Sequence, residues 1–200
     1  GAILIAKADE EDHTDPDEQL DGLDEEQRRI AAARDGDKDA VAWLVEHYQK
    51  PVYWLCYRML RERTEAEDAA QEALIKAVTN LDTFDITRPF KPWMLRIASN
   101  ECLDRLRRRK PTVYLDGLGE DGAWEWKPGE SPNPEAEFLR REKEAQIRAL
   151  LDVLSPLDRN VVTLFYWEGL SYAEISEATS LSVSAIKSRL FRARRAMAEQ

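Results

Sequence analysis

The placing of its helix breakers constrains this 200-residue chain more than any other feature. The chain has 8 Gly and 9 Pro, and four of each fall within residues 111–134, PTVYLDGLGEDGAWEWKPGESPNP. Glycine loses the most backbone freedom on entering a helix, and proline removes an amide donor and collides with the preceding turn. With five carboxylates against one lysine, this run reads as an extended linker. On both sides of it the apolar residues recur at helical spacing, which predicts an all-α fold of two helical domains. The expected boundaries are an acidic, disordered extension over 1–26, a first domain over 27–110, the linker over 111–134 and a second domain over 135–200.

The formal charge of −10 becomes informative once it is located. Residues 1–26 hold eleven Asp or Glu and one Lys, so 1 − 11 = −10 lies there, and the remaining 28 basic and 28 acidic residues cancel. Such a segment buries too little apolar surface to fold alone. Residues 88–110, by contrast, carry eight Lys or Arg against two acids, a local excess that favours a phosphate-bearing partner. No apolar run is long enough to span a bilayer and none resembles a signal peptide, so a cytoplasmic protein without a membrane segment is expected. Cys56 and Cys102 fit no metal or disulfide spacing and read as small buried hydrophobes. Neither His13 nor His47 sits in a catalytic pattern and no glycine-rich phosphate loop is present. Glu67, Asp68 and Glu72 lie close in sequence, but no His joins them in a metal site. Neither an enzyme nor a cofactor is indicated.

In the first domain DEEQRRIAAARDG and DKDAVAWLVEHYQKPVYWLCYRMLRER read as helices separated at Gly36, with Pro51 marking a kink or start. TEAEDAAQEALIKAV, residues 64–78, reads as the next, opened by a capping box of Thr64 and Glu67. Its alanines 66, 69, 70, 73 and 77 form one face, along which a neighbouring helix can approach closely. The opposite face holds Asp68, Gln71 and Glu72 with Ile75 among them. An isoleucine amid acceptors suggests an apolar contact rimmed by polar groups, and an ordinary solvated face is the alternative. DTFDITRPFKP then interrupts the periodicity. On the helix from about Trp93 to Arg109, Met94, Leu95, Ala98, Cys102 and Leu106 point into a core, while Trp93, Arg96, Asn100 and Arg107 form the outer stripe. An aromatic ring, an amide and guanidiniums together suit unstacked bases of single-stranded or melted nucleic acid.

The second domain opens with a helix near 135–154, followed by SPLD, whose Ser155 caps a helix with Pro156 at its first position. SYAE, residues 171–174, is a capping box for the next. A short turn leads to a last helix from about Val183, and the pair has helix-turn-helix dimensions. Val183, Ile186, Leu190, Ala193 and Met197 form its apolar stripe. Ser184, Ser188, Phe191, Arg192 and Arg195 lie opposite, flanked by Lys187 and Arg194. Guanidinium and ammonium groups reach guanine edges and phosphates, and a phenyl ring can contact a thymine methyl.

Three segments in this order, AEDAAQEALIKA, FKPWMLRIASNECLDRLRRR and LSPLDRNVVTLFYWEGLSYAEISEATSLSVSAIKSRLFRARRAM, resemble the bacterial group IV, or extracytoplasmic-function (ECF), sigma factors of RNA polymerase. The likeness covers roughly residues 27–110 and 136–198. It implies a first domain that docks on the polymerase clamp helices and opens the −10 element, and a second that binds the flap tip and reads the −35 element. On the resemblance, Asp68, Gln71, Glu72 and Ile75 contact core polymerase, and Asn100 takes the −10-reading position. The loop over 83–92 stands where the family holds a flipped base, so Arg88, Phe90, Lys91, Trp93, Arg96 and Arg107 are expected around the −10 strand. Lys187, Ser188, Phe191 and Arg192 match the −35-reading stretch, with Ser184 and Arg195 beside them. Tyr114, Trp124 and Trp126 of the linker would enter the polymerase channel later occupied by RNA. The implied partners are core RNA polymerase, promoter DNA and an anti-sigma factor.

The chain departs from the family at the helix-turn-helix turn. Ser180 stands where glycine is usual, and Ser176 and Thr179 replace apolar residues, which puts the turn's geometry in question. A stand-alone helix-turn-helix regulator is the competing reading, with the first block as a sensor or dimerisation domain.

Overall fold

The computed structural model describes residues 16–108, 146–147 and 149–199. Its helices are α1 (Pro16–Arg34), α2 (Lys38–Leu60), α3 (Arg63–Thr79), α4 (Phe90–Arg108), α5 (Pro156–Tyr166), α6 (Tyr172–Thr179) and α7 (Val183–Ala198), with a 3-10 turn at Leu81–Thr83. No strand occurs among the described residues. The linker expected over 111–134, with Tyr114, Trp124 and Trp126, lies outside them, as does most of the helix expected near 135–154, of which residues 146–147 and 149–152 are helical.

Local signals set most of the helix ends. Gly36, at φ +87°, turns the chain between α1 and α2, and the Asp37 carboxylate accepts from the amides of Asp39 and Ala40 to cap α2. Ser155 and Pro156 open α5, and Ser171 with Glu174 form the expected capping box on α6. α1 reaches back to Pro16, into part of the acidic segment. Pro51, read as a kink or start, does not start α2, which begins at Lys38 and runs through it. One expectation fails. At α3 the cap is not Thr64 with Glu67. The helix starts one residue earlier and Glu62 accepts from the amides of Thr64 and Glu65, leaving Glu67 to pair with Arg63 at 3.0 Å.

The alanine face behaves as read: Ala66, Ala69, Ala70, Ala73 and Ala77 are all buried as α3 packs against α2 and α4. Met94, Leu95, Ala98 and Cys102 of α4 meet Leu55, Cys56 and Met59 of α2 in the same core. Both cysteines are fully buried. The second domain packs Val161 and Leu164 of α5, Ile175 of α6, and Ile186 and Leu190 of α7 together.

The two domains are also packed on each other, α6 against α4 and α5 against α2 and α4. Their seam is polar. The Arg159 guanidinium, 6% exposed, donates to the carbonyls of Leu151 (3.1 Å) and Leu154 (3.3 Å) in its own domain and to Met59 (2.9 Å) at the end of α2. It thereby satisfies a carbonyl that a helix end leaves open. Ser99 Oγ donates to Asn160 Oδ1 at 2.9 Å, and Arg61 pairs with Asp152.

The turn between α6 and α7 answers the question its sequence raised. Ser180 adopts φ +59°, a left-handed conformation that costs a side-chain-bearing residue about 1 kcal/mol. The two unusual polar residues hold it: Ser176 Oγ donates to Leu181 O at 2.6 Å and Thr179 Oγ1 to Ile175 O at 2.6 Å. Since only the strain remains, Ser180→Gly is expected to raise unfolding stability by about 1 kcal/mol, read from denaturant midpoints. Ser176→Ala should lower it.

Candidate partner and nucleic-acid interfaces

Three separate faces emerge from this packing. The first lies on the outside of α3. Once the alanine stripe faces inward, Ile75 must face out, and it is 54% exposed. Val45 and Gln49 of α2 and Leu74, Val78 and Gln71 of α3 join it in lining a groove of about 590 Å³. Asp68 and Gln71 are exposed at the rim, and Glu72 is half-buried with its carboxylate 3.5 Å from Lys76. The four expected residues therefore sit on one helix, with Asp68, Gln71 and Ile75 around the groove and Glu72 beside it. An apolar floor with an acidic and amide rim suits a protein surface that brings apolar side chains and cations. Val45 and Gln49 were not anticipated, because which stripe of α2 lies beside α3 follows from tertiary packing.

The second face lies on α4. Lys76, Asn80, Thr83, Trp93, Arg96 and Asn100 line a groove of about 330 Å³. Asn100 and Arg96 are exposed, while Trp93 is half-buried against Phe84 (5.2 Å between ring centroids) and Phe90 (5.3 Å). At the groove's edge Glu101 receives hydrogen bonds from Lys76 and Arg105, both at 2.6 Å. Burial acts to raise its pKa, yet the two cations prevail and hold the carboxyl below its ordinary value. Arg107 is exposed further along the helix, 2.9 Å from Asp104. Ring, amide and guanidinium thus share one concavity, where a base can stack and present its edge.

Phe90 requires correction. It is 3% exposed and packs edge-on against Tyr48 and Phe84, each at 5.0 Å, so it anchors the loop into the core and cannot meet a nucleic acid. The residue opens α4 directly after a proline, and an inward-facing phenyl at that point closes the aromatic cluster. Arg88 and Lys91 are not brought to the α4 groove either. Arg88 lies 3.7 Å from Glu177, and Lys91 donates to Glu168 O at 2.7 Å, both in the second domain.

The third face is the outside of α7. Ile186, Leu190, Ala193 and Met197 are buried, whereas Val183, read as part of that stripe, is half out of it because it opens the helix. Ser184, Lys187, Ser188, Phe191, Arg192 and Arg195 are all exposed, Phe191 at 69%. Lys187 Nζ lies 5.4 Å from the Tyr172 ring centroid, and Arg195 pairs with Glu199 at 3.2 Å. The helix is fixed by a residue that its pattern did not single out. Arg189 reaches back to Asp158 at 2.7 Å, and Asp158 also accepts from Ser155 Oγ at 2.6 Å, tying α7 to the cap of α5.

Residues 44–112 match the family Sigma-70 region 2, and residues 144–197 match Sigma-70, region 4. The chain is 39% identical over 177 residues to the ECF RNA polymerase sigma factor SigW of Bacillus subtilis (strain 168), covering 86% of this chain and 95% of that protein. Solved structures that share its fold include two complexes. CnrH in complex with the cytosolic domain of CnrY has a TM-score of 0.66 at 24% identity, covering 87% of this chain and 95% of the other. The sigma factor RpoE in complex with the anti-sigma factor NepR from Bartonella quintana has a TM-score of 0.60 at 21% identity, covering 79% and 94%.

Proposed function

The chain belongs to the ECF sigma factors of the sigma-70 family, and from that premise we propose how its three faces divide the work of transcription initiation. The α3 groove docks core polymerase, with Ile75 as its apolar centre and Asp68, Gln71 and Glu72 as its polar rim. The α4 groove takes the −10 strand, Trp93 stacking, Asn100 reading a base edge and Arg96 and Arg107 drawing in phosphates. The outside of α7 enters the −35 major groove, where Lys187, Ser188, Phe191 and Arg192 read bases while Ser184 and Arg195 position the helix. The flap tip is the second domain's contact on the polymerase.

Such a protein catalyses no reaction of its own. Holding an unstacked base in the α4 groove offsets part of the cost of melting, a few kcal/mol for each flipped base. The rest comes from the polymerase that the α3 groove recruits. No described helix is long and apolar enough to cross a membrane, and the reading places the factor in the cytoplasm, controlled by an anti-sigma partner of the kind bound to RpoE in the structure above.

One observation carries this reading over a stand-alone regulator: an exposed isoleucine groove, on a face apart from both basic faces, is a surface that DNA binding alone does not require. Transcription in vitro with and without core polymerase tests it. Initiation at discrete promoters only when both are present is the expected result, and tight, sequence-specific promoter binding by the protein alone would favour the regulator. Within the second domain, Arg189→Ala should lower unfolding stability by about 1–2 kcal/mol and weaken −35 duplex binding, because a charged hydrogen bond fixing α7 is lost. Circular dichroism and duplex titration measure the two effects.

A further inference from the structure

The division of work among three faces leaves α1 without a role. The helix lies wholly ahead of residues 44–112, the stretch that matches Sigma-70 region 2. Its inward stripe is Glu26, Gln27, Ile30, Ala33 and Arg34, a single line at helical spacing. Ile30 and Ala33 are buried in the core of the first domain. The polar members, Glu26, Gln27 and Arg34, are half-buried, and each has a partner elsewhere in that domain.

Two of the three hold the segment that joins α3 to α4. Arg34 Nε donates to Leu81 O at 3.0 Å, and the same guanidinium donates to Phe84 O. Gln27 Nε2 donates to Ile86 O at 3.2 Å. One helix thus grips three carbonyls between residues 81 and 86. A further tie runs through Tyr48, whose hydroxyl donates to Glu26 and whose ring packs edge-on against Phe90 at 5.0 Å.

The gripped segment builds one wall of the α4 groove. Thr83 lines that groove, and Phe84 backs Trp93 with ring centroids 5.2 Å apart. Phe90, steadied by Tyr48, lies 5.3 Å from the same indole. A shift of the Leu81 or Phe84 carbonyl therefore moves Thr83 and the support of Trp93 relative to Asn100. We propose that Arg34 and Gln27 are positioning residues for −10 base reading, splinting residues 81–86 so that Trp93 and Asn100 meet an unstacked base in fixed register. This rests on the reading of the α4 groove as the −10 face. A preformed wall spares the ordering cost on binding, and it denies a wrong base the freedom to settle in another geometry. Neither Arg34 nor Gln27 needs to touch nucleic acid.

The variants separate positioning from mere stability. Arg34→Ala removes the bonds to Leu81 and Phe84. Gln27→Ala removes the bond to Ile86 alone, and it serves where the arginine variant fails to fold. Ile30→Val takes a buried methyl from the same stripe, lowering stability while every bond to residues 81–86 stays in place. Asn100→Ala tests the underlying −10 reading independently of α1.

Each full-length protein is assembled with core polymerase and titrated, by fluorescence anisotropy, with a labelled promoter found in the transcription test above. Mismatches on the template strand pre-melt its −10 region, and each −10 base of the other strand is changed singly. The unmodified holoenzyme should prefer the matched base by about tenfold or more at the most selective position. Arg34→Ala should reduce that preference to about threefold or less, and Gln27→Ala to an intermediate value, with −35 duplex binding unchanged. Ile30→Val should lower the melting midpoint and keep the preference. Full preference in folded Arg34→Ala protein, or in Gln27→Ala protein where the arginine variant does not fold, overturns the splint. So does a loss equal at every base, the mark of a phosphate contact, or a loss that Ile30→Val shares. If Asn100→Ala also leaves the preference intact, the α4 reading falls with it. If Asn100→Ala alone abolishes the preference, the groove reads −10 bases and only the role of α1 is wrong.

Discussion

Glutamate in place of Ile75 is expected to weaken binding to core polymerase by about 3 kcal/mol, roughly a hundredfold, while helix content and unfolding midpoint stay unchanged. The two halves of this expectation have one cause. In the free chain the side chain is 54% exposed, so a carboxylate there keeps its hydration and costs the fold little. In the complex the same position becomes the centre of the groove shared with Val45, Leu74 and Val78, and a buried carboxylate without a partner must shed that hydration. Asp68→Ala, at the rim, should cost less and depend more on salt, because a rim charge acts mainly on encounter. Titration of labelled factor against core polymerase measures both. An Ile75→Glu protein that binds core as well as the unmodified chain would remove the α3 groove from the polymerase interface.

The residues of this face also show how far the sequence could be read. Periodicity alone places Ile75 outside and the five alanines inside, because a helix of fixed pitch has one orientation that buries them all. The same logic places the apolar stripe of α7 and the exposed Phe191. It fails where two helix faces compete, as at Phe90, whose ring is as suited to a base as to a core; Tyr48 and Phe84 decide it, and their positions depend on how α2 meets the loop. The partners that Arg88 and Lys91 find in the structure were not legible in the sequence, because Glu177 and Glu168 lie across a domain seam, 89 and 77 residues further along the chain (177 − 88 = 89; 168 − 91 = 77). The caps divide similarly. SPLD and SYAE set their helices as read, but Glu62 displaced the Thr64–Glu67 box, since either carboxylate can serve an open helix end and only packing chooses the register. At Ser180 the departure from glycine is accompanied by Ser176 and Thr179, whose hydroxyls bond the turn, a compensation that only the folded geometry reveals.

The second large effect separates the two nucleic-acid faces. Asn100→Ala is expected to alter promoter use according to −10 sequence while leaving duplex −35 binding intact; Phe191→Ala and Lys187→Ala should do the reverse. The magnitudes differ with chemistry. Losing a well-placed amide against a base edge costs about 1–3 kcal/mol at the matched base and little at others, because the discrimination lies in the paired donor and acceptor. Losing Phe191, 69% exposed in the free chain, removes an apolar contact and changes discrimination at the base whose methyl it covers. Lys187 is the mixed case, since its ammonium also lies near the Tyr172 ring and could serve a phosphate. Its substitution should therefore lower the slope of affinity against salt by about one phosphate's worth, in addition to any base preference. Arg96→Ala, on the α4 groove, should weaken all −10 sequences alike. The measurement is a matrix of promoter variants, each −10 and −35 base changed singly, against each protein in polymerase-dependent transcription. Losses confined to rows of the matching element support base reading. Uniform losses across the matrix for Asn100→Ala would mean that the residue serves the backbone or the fold, and the −10 assignment would pass to another residue of the α4 groove.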